Sequence, residues 1–111
     1  MQREIKKLLW DIDVCISDLE GFINGKNLED FERDRMLQLV VERALEIIGE
    51  ALRRLSDIDY ERLSLLIPEF YQIIGLRNII AHGYDVVDYK TLWDLVINEL
   101  PVLKGKIDNY R

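Results

Sequence analysis

Arg77-Asn78-Ile79-Ile80-Ala81-His82-Gly83-Tyr84 puts a permanent cation, an imidazole and a phenol in one short stretch, and His82 is the only histidine among 111 residues. A guanidinium stabilises charge on a phosphate, and an imidazole moves a proton near neutral pH. These are the minimum parts for breaking a phosphodiester without a metal. RNA brings its own nucleophile, the 2′-hydroxyl. One group must take that proton, another must protonate the leaving 5′-oxygen, and a cation must stabilise the crowded phosphorane. A single histidine cannot fill both proton roles in a monomer. A two-fold dimer supplies two copies of His82 and two of Arg77, so this chemistry requires a homodimer.

At ~100° per residue, Arg77 and His82 lie about 140° apart on an ideal helix and do not share a face. Asn78 and His82 do share one, so Asn78 is placed to orient the imidazole or to bond a neighbouring helix. Gly83 follows His82 directly and is suited to end the helix. The ring then projects from the last helical turn, where the dipole favours its protonated form. A proton donor for a leaving oxygen benefits from that.

The rest of the chain must position this stretch, and its periodicity is helical. Ile5, Leu8, Leu9, Ile12, Ile16, Leu19 and Ile23 follow one helix face from about Arg3 to Asn24. Asn24-Gly25-Lys26-Asn27 stops it. A second helix is expected from about Asp30 to Leu55, with Asp30 as N-cap and an apolar stripe running from Leu37 to Leu55. Residues 56–67 read as a connector with a short helix started by Asp57 or Asp59. Pro68 suits the first turn of a third long helix, which carries the motif. A last helix, capped by Asp88, runs to Ile107 with a kink near Glu99 ahead of Pro101. The expected architecture is all-α: an antiparallel bundle of four long helices plus one short helix, in a single domain spanning residues 1–111.

Bulk composition narrows the function. The formal net charge is −6, so long-range attraction to nucleic acid is weak and RNA would have to be met at a focused basic spot. Hydrophobic content of 49% leaves apolar surface to spare for an interface. Cys15 is the only cysteine, which excludes an intrachain disulfide and fits a reducing compartment. The N-terminus has no signal-like apolar run, and no stretch approaches the ~20 apolar residues of a membrane span. The cytoplasm is the expected location.

Arg77, the polar Asn78, His82 and Tyr84 in this spacing resemble the signature of the HEPN superfamily: an arginine, four residues often led by a polar one, then a histidine. Tyr84, one residue beyond Gly83, narrows the resemblance to HepT-like toxins, and length and helical reading agree across essentially the whole chain. The resemblance implies a HEPN-like fold and a metal-independent endoribonuclease toxin of a type II toxin–antitoxin system. It implies a homodimer whose two motif copies line a shared cleft, with Arg77 and His82 catalytic and Asn78 supporting. It also implies a partner, an antitoxin of the minimal nucleotidyltransferase type that silences the enzyme by adenylylating Tyr84. No cofactor and no metal enter this scheme. A phenol is uncharged at pH 7, so Tyr84 reads as a control point rather than a catalyst. An added phosphodiester anion and base would occupy Arg77 and block the cleft.

Plainer readings stand beside these. A histidine at a helix end is often a cap, Arg77 is open to pairing with a second-helix glutamate, and Tyr84 is open to being a packed aromatic with a wet hydroxyl. Glu42, Glu46 and Glu50 recur every four residues and read as a solvated ladder rather than a metal site. Trp10 and Trp93 read as core or interface anchors, and Cys15 as a small buried hydrophobe. The competing function is a non-catalytic helical module that binds nucleotide or a nucleotidyltransferase partner. A purely structural dimerisation domain ranks last.

Overall fold

The computed structural model describes residues 2–75 and 88–110. Helix α1 (Arg3–Ile23) buries Ile5, Leu8, Leu9, Ile12, Ile16 and Leu19 of the stripe its periodicity marks, and its last member, Ile23, is partly buried. Gly25 reverses the chain after it at φ 76°, a conformation that costs glycine nothing.

Helix α2 (Leu28–Arg33) is a separate six-residue element that the sequence pattern merges with the next helix. Its cap is Asn27, not Asp30. The Asn27 side chain accepts from the Asp30 N–H at 2.9 Å, and the Asp30 carboxylate accepts from the Asn27 N–H at 3.0 Å. Asp30 is thus the third helical residue of a capping box. Asp34 breaks the helix and caps the next one, accepting from the Leu37 N–H at 3.1 Å. Gln38 holds this corner together. It is 5% exposed, and its amide donates to the carbonyls of Phe31 at 2.9 Å and Glu32 at 3.2 Å. Those carbonyls lie at the end of α2, where helix acceptors lack intrahelical partners.

Helix α3 (Arg35–Leu66) extends eleven residues beyond the expected end at Leu55. The expected connector is therefore mostly helix, and the break is confined to Asp59 (φ −144°, ψ 47°). Tyr110, near the other end of the chain, secures this break. Its hydroxyl donates to Asp59 Oδ2 at 2.6 Å, its ring lies 4.7 Å from the Arg62 guanidinium carbon, and its carbonyl accepts from Arg62. Burial pushes the Tyr110 phenol well above its ordinary range, and the Asp59 carboxylate adds to the effect. Pro68 occupies a turn just ahead of helix α4, which is described over 70–75, rather than the helix's first turn.

Helix α5 (Tyr89–Asp94) starts at the expected cap, Asp88. The expected kink is a π turn over Leu95–Glu99, followed by helix α6 (Leu100–Tyr110). The Leu100 N–H bonds the Leu95 carbonyl, one residue further back than in an α-helix. Pro101 has no N–H, and its ring crowds the preceding turn; widening that turn relieves the clash.

The elements assemble through apolar faces. Leu8 sits near Ala51, Cys15 near Ala44, and Phe22 near Met36, so α1 and α3 run antiparallel. Helix α6 covers α1, with Lys104 Nζ donating to Ser17 Oγ at 2.9 Å. Phe31 joins α2 to α5: its ring stacks on Trp93 at 5.1 Å and meets Tyr89 edge-on at 5.5 Å. The architecture is all-α and HEPN-like, and the described residues contain no strand. Among them no helix is long and apolar enough to cross a membrane.

Two aromatic and thiol expectations separate here. Trp93 is a core residue, whereas Trp10 is 58% exposed and is no part of the core. Cys15 is half-buried, with Sγ 3.5 Å from the Ala44 carbonyl oxygen. Burial, then the nearby Asp18 charge, pushes its thiol up to about 11. Alkylation of Cys15 by iodoacetamide at pH 8 should run about 100-fold slower in the folded protein than in urea, since the thiolate is the nucleophile. Equal rates would show that the thiol is neither shielded nor shifted.

Candidate active site

Arg77, Asn78, His82 and Tyr84 all lie within residues 76–87, outside the described residues. What the structure establishes is the frame on either side. On the entry side, α4 is fixed by Phe70 (4% exposed) and Ile73 (5% exposed) in the core. Phe70 also meets Tyr60 edge-on at 6.1 Å and Tyr71 at 5.4 Å. On the exit side, Asp88 accepts from the Lys90 N–H at 3.1 Å and from the Thr91 hydroxyl at 2.7 Å. The Thr91 hydroxyl bond holds the Asp88 carboxyl below its usual range. Asp88 is therefore engaged as a cap. Tyr89, directly after this cap, packs edge-on against Phe31 and so belongs to the scaffold.

The glutamates proposed as a ladder each have an arginine at hand on their own helix. Glu42 lies 3.8 Å from Arg35, Glu46 3.4 Å from Arg43, and Glu50 2.9 Å from Arg53. Arg53 also reaches Asp57 at 3.1 Å, and its proton is held more tightly than usual by the Glu50 hydrogen bond. Further cations are paired too: Lys7 with Asp11 at 2.9 Å, Arg33 with Glu29 at 2.6 Å, and Lys104 with Glu20 at 3.7 Å. Many of the described cations are thus offset by a neighbouring carboxylate, in keeping with the net charge of −6.

Between α4 and the π turn lies a cleft of about 610 Å³. Ile73, Leu95 and Leu103 form its floor, and Gln72, Asn98 and Glu99 stand at its edge. Sequence reasoning passed over this cleft because its two walls are far apart in the chain. It also passed over Gln38 and Tyr110. Gln38 did leave a signal: a polar residue beside Leu37 on an apolar stripe is a candidate buried hydrogen-bonding group.

The chain is 39% identical over 111 residues to "Probable ribonuclease HepT" of Thermococcus cleftensis, covering 100% of this chain and 99% of that one. It is 34% identical over 107 residues to "Putative RNase MJ1380" of Methanocaldococcus jannaschii, covering 96% of each. No solved structure gives a significant match. Residues 12–109 match the family described as "Ribonuclease HepT-like", and this chain belongs to that HepT-like ribonuclease family.

Proposed function

We propose that this protein is a metal-independent endoribonuclease toxin that acts as a homodimer, with Arg77 stabilising the transition-state phosphorane and His82 moving the protons. The observation that carries this reading is the Arg77-Asn78…His82-Gly83-Tyr84 spacing with its single histidine. Family membership supports the ribonuclease class. The net charge of −6, with Lys7, Arg33 and Lys104 each beside a carboxylate, favours a focused phosphate site over a broad basic track. Asn78 orients His82 in this reading. The partner is a nucleotidyltransferase-type antitoxin that adenylylates Tyr84, and both proteins work in the cytoplasm.

The first test is incubation of the purified protein with a mixed cellular RNA pool in EDTA, alongside its oligomeric state by light scattering. Cutting by a dimer supports the reading. Absence of cutting, with Tyr84 shown unmodified by mass spectrometry, favours the non-catalytic partner module, a reading that the net charge of −6 also accommodates. Tyr84→Phe separates control from catalysis. The variant should cut RNA within about threefold of wild type, because a neutral phenol contributes little at pH 7, and it should escape silencing by the adenylylating partner. Loss of cutting in a folded Tyr84→Phe dimer would make Tyr84 part of the catalytic machinery instead.

A further inference from the structure

The cleft between α4 and the π turn has no assigned role, and its composition is specific. Its volume of about 610 Å³ is that of a small-molecule site. Its floor is aliphatic, and Val102, 54% exposed, adds an apolar edge. The polar side chains around it are amides, carboxylates and the Thr91 hydroxyl, and none of its described lining residues is cationic. Glu69 is already tied to Lys106 at 2.6 Å. Asn98 donates through Nδ2 to Asp94 Oδ1 at 2.7 Å, which fixes the amide and leaves its carbonyl oxygen as an acceptor. Glu99 adds a carboxylate acceptor, and Gln72 offers both a donor and an acceptor.

Such a site repels phosphate and suits a flat, largely apolar ring with amino groups at its edge. A nucleobase has that character, and unpaired RNA bases are read by hydrogen bonds to their edges. Carboxylates accept from the amino group of cytosine, and Asn or Gln pairs with adenine. The cleft is also placed for it. Gly75 in its wall comes two positions before Arg77, and Thr91 on its other side is bonded to Asp88, the first described residue after the motif.

We propose that this cleft is a nucleobase subsite that holds one unpaired base of the RNA substrate and prefers bases with an exocyclic amino group over uracil. The proposal rests on the ribonuclease reading for its biological use, but the binding itself is measurable without any cleavage. The apolar floor takes the ring faces, and Asn98, Glu99 and Gln72 read the edge.

The test is a titration of the ¹⁵N-labelled protein with the 3′-monophosphates of adenosine, cytidine, guanosine and uridine, each alone, and with inorganic phosphate. The side-chain amides of Gln72 and Asn98 should shift with the three amino-bearing nucleotides. Uridine monophosphate should bind about fivefold more weakly, the lower end of one edge contact's discrimination. Glu99→Gln should narrow that ratio. Asn98→Ala, at an exposed position, provides a second variant for the same readout.

Absence of shifts at Gln72 and Asn98 overturns the subsite, as do equal shifts from inorganic phosphate or equal affinity for all four nucleotides. Base binding in a protein that cuts no RNA while Tyr84 is unmodified would sink the ribonuclease reading and leave the subsite standing. RNA cutting without base binding would do the reverse.

Discussion

His82→Ala should lower cleavage of a mixed cellular RNA pool in EDTA by about 10²–10⁴, the usual contribution of one general acid–base group. The substitution removes the only imidazole from each chain, so both copies vanish from the dimer. No second histidine exists to take over either proton role. Arg77→Ala should lose activity on a similar scale, because a fixed cation at a developing phosphorane stabilises charge that water at an open site stabilises less well. Arg77→Lys should restore part of it, since an ammonium keeps the charge but not the planar fork. Equal cutting by wild type and His82→Ala would identify a contaminating nuclease and remove the support for acid–base catalysis at His82. A fall in activity accompanied by loss of the dimer would instead assign His82 to assembly. Light scattering on the variant separates the two.

Phe31→Ala should be the most damaging single core truncation for the frame around the motif. Phe31 is 0% exposed, and it joins α2 to α5 through Trp93 at 5.1 Å and Tyr89 at 5.5 Å. Truncating a buried aromatic costs about 3–5 kcal/mol through lost transfer energy and the cavity left behind. Aromatic pairing adds ~0.5–1.5 kcal/mol per contact. Against a total stability of about 5–15 kcal/mol, that is a large share. A fall in Tm of about 15–25 °C is expected by calorimetry. A Tm within a few degrees of wild type would show that α2 does not anchor α5 as described. Because Tyr89 directly follows the cap at Asp88, a folded Phe31→Ala protein should also cut RNA less well than wild type.

The legibility of this chain varies by element, for physical reasons. The stripe of α1 and the Asp88 cap were readable because each is a local pattern: helical periodicity in one case, a carboxylate ahead of an apolar run in the other. The kink before Pro101 was readable because a missing N–H has only local remedies. It takes the form of a π turn over Leu95–Glu99, with Leu95 and Leu100 both buried. The boundary between α2 and α3 was misplaced by a cap. Asp30 and Asn27 are both good capping residues, and only the reciprocal bonds show which one caps. The continuity of α3 was missed because Ser56, Asp57 and Asp59 read as a connector, while the true break is a single residue held by Tyr110 from far along the chain.

The sequence by itself determined the helical class and the anchoring stripes, and it displays Arg77, His82 and Tyr84 in one short stretch, because each depends on residue type and short-range spacing. Only the tertiary structure decided that Trp10 is exposed while Trp93 is core, and that Gln38 closes the α2–α3 corner. It likewise decided that Asp59 and Tyr110 meet across the fold, and that Gln72 and Asn98 flank one cleft. Those outcomes depend on which faces of different helices come together, and helix periodicity specifies a face without specifying its partner.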